Sequence, residues 1–251
     1  MAKMANSERL LLVEGESDKN FFEKFCKLLA LDTLVKVAPP EEAMEEYNTE
    51  QVELQQVADD KKVSKGYNNK EGVFNLLPIE LPQLLDENCQ LQRLAVIVDA
   101  DDEDAGGLGC RRTIERVERI VQPFGFLLAP NSKNNLGGLR FKHADGIGIA
   151  DFGLWVMPNN QDKGMLEDWI KHCVSQKEQT LFQYATGVVS ALPQPKFKPI
   201  HRTKAEVATW LAWQDSPGHG LYRALWEKDI LIDQDNKWYK GLVGWLQDIY
   251  Q

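Results

Sequence analysis

Apolar residues in this chain of 251 residues fall into short unbroken runs first and into a helical spacing later. Leu10 to Val13 is such a run, ending at Glu14-Gly15-Glu16. A short apolar run bounded by polar residues predicts a strand buried on both faces. Behind it, Phe21, Phe22, Phe25, Leu28 and Leu29 share one side of a predicted helix, with Ser17 or Asp18 as its N-cap. Gly15 permits a tight turn between the two. The run Leu94 to Val98 repeats the pattern and enters a cluster of acids, Asp99, Asp101, Asp102, Glu103 and Asp104. An amphipathic helix follows from Cys110 to Val121, with Ile114, Val117, Ile120 and Val121 inward. Further strands are expected at Phe126–Leu128 and Gly153–Met157. Between the first two units, Val52 to Val57 offers another strand and Gly66 with Asn68-Asn69 a turn. A helix on Val73, Leu76 and Leu77 follows, interrupted by Pro78 and Pro82. Asn131 to Gly138 reads as a loop.

Strands alternating with helices predict an α/β fold, a mostly parallel, Rossmann-like sheet flanked by helices. From Asp162 the texture becomes helical. Met165, Leu166, Trp169 and Ile170 mark one helix and Thr180 to Leu192 another. Ala205, Ala208, Leu211 and Ala212 give the inner side of a third, before a tail rich in tryptophan. The expected organisation is an α/β core over residues 1–160 with a helical C-terminal portion over 161–251 packed on it. Six of the seven tryptophans lie beyond residue 160, where core packing is favoured over a base-stacking platform.

Composition changes little. The apolar fraction of 43% and charged fraction of 27% are those of a globular protein. No apolar run is long enough for a bilayer, and the N-terminus lacks a secretory signal, so no membrane association and a cytoplasmic location are expected. The four cysteines and four histidines show no ligand spacing. A net charge of −9 argues against a broad grip on nucleic acid, yet allows an acidic active site beside a local basic groove.

The acids carry the candidate chemistry. Ligands of parallel sheets collect at the carboxyl ends of strands, where Asp99-x-Asp101-x-Glu103 begins. Alternate residues leaving a strand can converge on one hard cation, Mg²⁺ or Mn²⁺, which prefers such oxygen donors. A solvated acidic loop remains the alternative. Glu14 stands at the end of a second strand, where it can bind metal or act as general acid/base.

LLLVEGESD together with LAVIVDADDED resembles the Toprim (topoisomerase–primase) domain, an α/β fold that binds Mg²⁺ for phosphoryl transfer on nucleic acids. The resemblance assigns Glu14 to the family's glutamate and Asp99 and Asp101 to its Asp-x-Asp metal ligands, with Glu103 standing where many members have a third aspartate. The chain is most similar to stand-alone Toprim-like proteins of unknown function related to the overcoming-lysogenization-defect (OLD) nucleases. That likeness extends through MPNNQDKGMLEDWI and HRTKAEVATWLAWQDSPGHGLYRAL. It implies Glu167 and Asp168 as a second acidic cluster completing a second metal position, and Lys204 as a catalytic lysine. Lys163, Lys198 and Arg202 would add nucleic-acid contacts. The alternative for Glu167 is a role at the dipole of its helix, and for Lys204 an exposed helix face. No GxxxxGK[ST] is present, so any ATPase would be a separate protein partner. The expected function is a metal-dependent nuclease or related phosphoryl-transfer enzyme acting on nucleic acid. The alternative is a non-catalytic metal- or nucleotide-binding regulatory module working through a protein partner.

Overall fold

The structure, a computed structural model, describes residues 8–38, 70–130, 137–146, 148–215, 217, 222–227 and 231–251. The expected strand at Val52–Val57, the turn at Gly66 and Asn68-Asn69 and most of the loop at 131–138 lie outside the described residues.

Six described strands, β1 (Arg9–Val13), β2 (Leu34–Lys36), β3 (Arg93–Asp99), β4 (Phe126–Leu128), β5 (Leu139–His143) and β6 (Phe152–Met157), form one sheet. Its order is β2-β1-β3-β6-β5-β4. The first four in that order run parallel, while β5 pairs antiparallel with β6 and β4 with β5. The mostly parallel α/β sheet is therefore the one the sequence predicts. Two strands escaped that reading. β2 has three residues, and β5, LRFKH, alternates polar with apolar because it lies outside the doubly covered centre.

The central strands are apolar throughout because helices cover both faces. Leu11, Val13, Ala95, Ile97, Trp155 and Met157 belong to one core. That core also takes in α1 (Glu16–Leu28) and the later helices α4 (Leu166–Cys173), α5 (Gln179–Ser190), α6 (Arg202–Ala212), α7 (Arg223–Glu227) and α8 (Lys237–Tyr250). Leu10, Leu12, Leu94, Val96, Val98, Leu154 and Val156 pack instead with α2 (Lys70–Glu80) and α3 (Gly109–Val121). The helical C-terminal portion thus shares one continuous core with α1 and the sheet.

Aromatic packing joins them. The Phe25 and Trp169 rings meet edge-on at 5.9 Å between centroids, linking α1 to α4. Trp155, Trp169, Trp210 and Trp245 are fully buried, so core packing is their role. Helix α8 rests on the sheet at Gly153, where a Cβ would approach Ile249 to 2.9 Å. The Tyr250 hydroxyl donates to the Leu10 carbonyl at 2.7 Å, tying the last helix to the first strand.

Three local expectations are corrected. Helix α1 is capped by Gly15 with Asp18 reaching back to its N–H, and Leu28 is exposed at the helix's last turn. Pro78 lies inside α2, which gives way to a 3₁₀ turn only at Leu81. The inner side of α6 is Val207, Trp210 and Leu211 with Glu206, because the large side chains offer far more apolar area than the alanines. No helix among the described residues is long and apolar enough to cross a membrane.

Candidate functional site at the strand ends

From β1 the chain crosses to β2 on one side, while β3 and β6 lie on the other, so the order reverses between β1 and β3. Such a switch point leaves a crevice at the carboxyl ends of the strands. Val13 pairs with Ile97 in the parallel register, which puts Glu14 and Asp99 together at that edge. The Glu14 Oε1 accepts the Asp99 N–H at 2.8 Å.

Asp99 sits at the centre of the cluster. Its Oδ1 accepts the Leu166 N–H at 3.0 Å, at the start of α4, where the helix dipole favours negative charge. Burial, and then the charges of Glu14, Asp18, Glu167 and Asp101, push its carboxyl well above the usual carboxylate range. Glu14 is pushed up to about 8, chiefly by burial, against the lowering effect of Lys70. Asp18 is pushed up to about 6 by burial and then by Glu167, with Lys204 opposing.

Asp101 is held by unusual backbone. Its φ of +64° is left-handed, a region aspartate tolerates better than most residues. Its N–H donates to the Gly164 carbonyl at 3.0 Å. Gly107 passes so close that a Cβ there would stand 2.4 Å from the Asp101 Cβ. The Lys70 ammonium donates to Asp101 Oδ2 at 2.5 Å and lies 3.9 Å from Glu14 Oε1.

The other end of the cluster comes from the C-terminal helices. Glu167 is 1% exposed; the Tyr222 hydroxyl donates to its Oε1 at 2.6 Å, and the Lys204 ammonium stands 3.3 Å from the same oxygen. Burial works to lower the Lys204 pKa, but Glu167, Asp99 and Asp18 outweigh it and raise it.

Glu14, Asp99, Asp101, Glu167 and Lys204 therefore meet, as the sequence suggested. Other candidates stand elsewhere. Glu103 is exposed in a 3₁₀ turn with its carboxylate over Gly109. Asp168 caps α4, its Oδ2 accepting the Met165 N–H at 2.9 Å. Lys163 is exposed and paired with Asp102 and Asp104 at 2.9 and 3.3 Å. Lys198 and Arg202 are exposed just before and at the start of α6.

Three members were missed. Asp18 lies four residues beyond Glu14 in VEGESD, where the pattern suggests an N-cap; it stands instead at the third helical position and accepts the Gly15 N–H. Lys70 and Tyr222 carry no local signal, since only tertiary folding brings them to the strand ends.

The donor set suits a hard divalent cation in kind and in charge. It offers carboxylate oxygens, and the acids around Asp99 outnumber the two lysines, Lys70 and Lys204. No three Asp, Glu, His or Cys side chains of the described residues are grouped to hold an ion as they stand.

Fold and site together define an α/β protein with a buried carboxylate–lysine cluster at the switch point of a mostly parallel sheet. The chain belongs to the family DUF3226, proteins of unknown function, whose model matches residues 8–251. No curated protein and no solved structure matches it.

Proposed function

We propose that this protein is a Toprim-type, metal-dependent phosphodiesterase that cleaves nucleic acid at the β1–β3 strand ends. One observation carries the reading: acids from two adjacent parallel strands are joined directly, Glu14 to the Asp99 backbone, within a buried surplus of carboxylates. Such a surplus is costly unless protons or cations neutralise it.

Asp99 and Asp101 would hold Mg²⁺ or Mn²⁺, with Glu167 as the acid nearest a second position. When bound, the cation polarises a phosphoryl oxygen and lowers the pKa of water. Asp99 is kept oriented by the Leu166 N–H. Glu14 would either hold the ion with Asp99 and Asp101 or, standing off it, take and return a proton. Lys204, about half exposed, presents an ammonium at the rim to steady phosphate charge as it develops. Lys198, ahead of α6, and Arg202, at its start, would add positive charge for the nucleic-acid backbone.

A second reading is a metal- or nucleotide-binding regulatory module that works through a protein partner. The ion pairs of Lys163 with Asp102 and Asp104 favour it, because they engage an expected phosphate contact with acids instead.

The test is cleavage of single- and double-stranded DNA and RNA with Mg²⁺, comparing wild type with Asp101→Asn, since asparagine also tolerates the left-handed backbone. Loss of Mg²⁺-dependent cleavage is expected in a variant that still folds cooperatively, with a lowered melting temperature because Lys70 loses its nearest charge partner. Unchanged cleavage by the variant would sink the assignment, and a wild type that cleaves nothing but captures a protein would favour the second reading.

A further inference from the structure

Lys70 is the least expected member of the cluster. Its side chain is 8% exposed, and lysine is seldom that deep unless paired. The partners are acids from two different strand ends, Asp101 at 2.5 Å and Glu14 at 3.9 Å. One ammonium therefore stands between the carboxylates of the β1 and β3 ends.

Its place is set by α2 rather than by the acids alone. The neighbouring Glu71 makes a two-pronged ion pair with Arg116 of α3, both N–O distances being 2.5 Å. The Arg116 guanidinium also lies 4.5 Å over the Phe74 ring. Val73, Leu76 and Leu77 anchor the helix in the core beneath β1 and β3. The backbone that carries Lys70 is thus held by α3 and the core, so only rotation of its four-carbon stem could withdraw the ammonium.

We propose that Lys70 is a resident counter-cation of this site, which occupies the position between Glu14 and Asp101 and is displaced when a divalent cation binds there. The inference rests on the metal-binding reading above. An ion shared by Glu14 and Asp101 must lie where the ammonium now lies, and two cations at that separation repel strongly. The two states exclude each other, so Lys70 weakens the apparent metal affinity by the fraction of molecules in which it fills the site.

Mn²⁺ titration followed by electron paramagnetic resonance tests this on wild type, Lys70→Met and Lys70→Arg. Lys70→Met, which keeps the stem and removes the charge, should bind Mn²⁺ roughly tenfold more tightly. Lys70→Arg should stay close to wild type. Unchanged or weaker binding by Lys70→Met, with wild type binding normally, overturns the role of Lys70 and leaves the metal site standing. No Mn²⁺ binding by any of the three overturns the metal reading and this inference together. If Lys70→Met does not fold, the ammonium resonance of Lys70 in ¹⁵N-lysine-labelled wild type decides. It should shift and exchange faster as Mg²⁺ is added, and an unmoved resonance at saturation overturns the proposal.

Discussion

The carboxylate of Glu14 accepts a hydrogen bond from the backbone N–H of Asp99, 85 residues away in the chain. That bond fastens the end of β1 to the end of β3 where the strand order reverses. It also places a carboxyl group with a raised pKa against a second one, in a space closed by helices from both layers.

Stability should fall as pH rises from about 4.5 towards about 8 in metal-free buffer. Glu14 has its folded pKa raised to about 8 from an unfolded value of 4.5. The folded state therefore holds the proton more tightly, and the stability it contributes below pH 4.5 is lost as pH rises through about 8. Asp99 is shifted in the same direction. His172, whose pKa is lowered by burial from 6.5, acts oppositely only below that value, so the clean window is pH 6.5 to 8.5. Melting temperatures in EDTA should drop across the window, and Glu14→Gln should flatten the drop. A wild-type curve that rises over this range contradicts the burial of a protonated carboxyl.

The Glu167 end of the cluster should behave as a unit. Tyr222 and Lys204 both serve Oε1 of a residue that is 1% exposed. Tyr222→Phe removes a donor from a buried carboxylate and should cost about 1–3 kcal/mol. Lys204→Met should cost about the same, the value for a buried pair being reduced because the lysine is half exposed. Denaturant unfolding of the double variant should depart from the sum of the single effects by roughly 0.5 kcal/mol or more. Strict additivity would mean the two donors do not share the acid.

Close approach at two glycines should be intolerant of a side chain. Gly107→Ala would drive a methyl into the Asp101 Cβ and shift the acid, so it should impair Mg²⁺-dependent cleavage more than it lowers the melting temperature. Gly153→Val would push α8 off the sheet at Ile249 and Trp245 and should cost about 1–3 kcal/mol through overpacking. A Gly153→Val protein as stable as wild type would contradict the packing described.

Much of this was legible in the chain. LLLV and LAVIV are apolar throughout because both faces of the sheet are covered, so strand, parallel topology and strand-end acids follow from one pattern. Glu14, Asp99 and Asp101 stand together because a parallel sheet places its strand ends at one edge. Glu103 was overread: an alternating spacing continues only while the backbone stays extended, and Asp101 turns it at φ +64°. Asp168 was overread for a different reason, since an acid in the third position of a helix is commonly drawn back to the cap. Lys70 and Tyr222 were invisible because their roles depend on α2 and the C-terminal helices approaching from opposite layers. Nothing near either residue in sequence reports that approach.

Anomalous diffraction from crystals soaked in Mn²⁺ tests the central claim most directly. The account predicts an ion at ligand distance, about 2.1 Å, from carboxylate oxygens of Glu14 and Asp101, with the Lys70 ammonium moved away from both. A difference map with no peak among Glu14, Asp99 and Asp101 at saturating Mn²⁺, and Lys70 still bonded to Asp101, would contradict it.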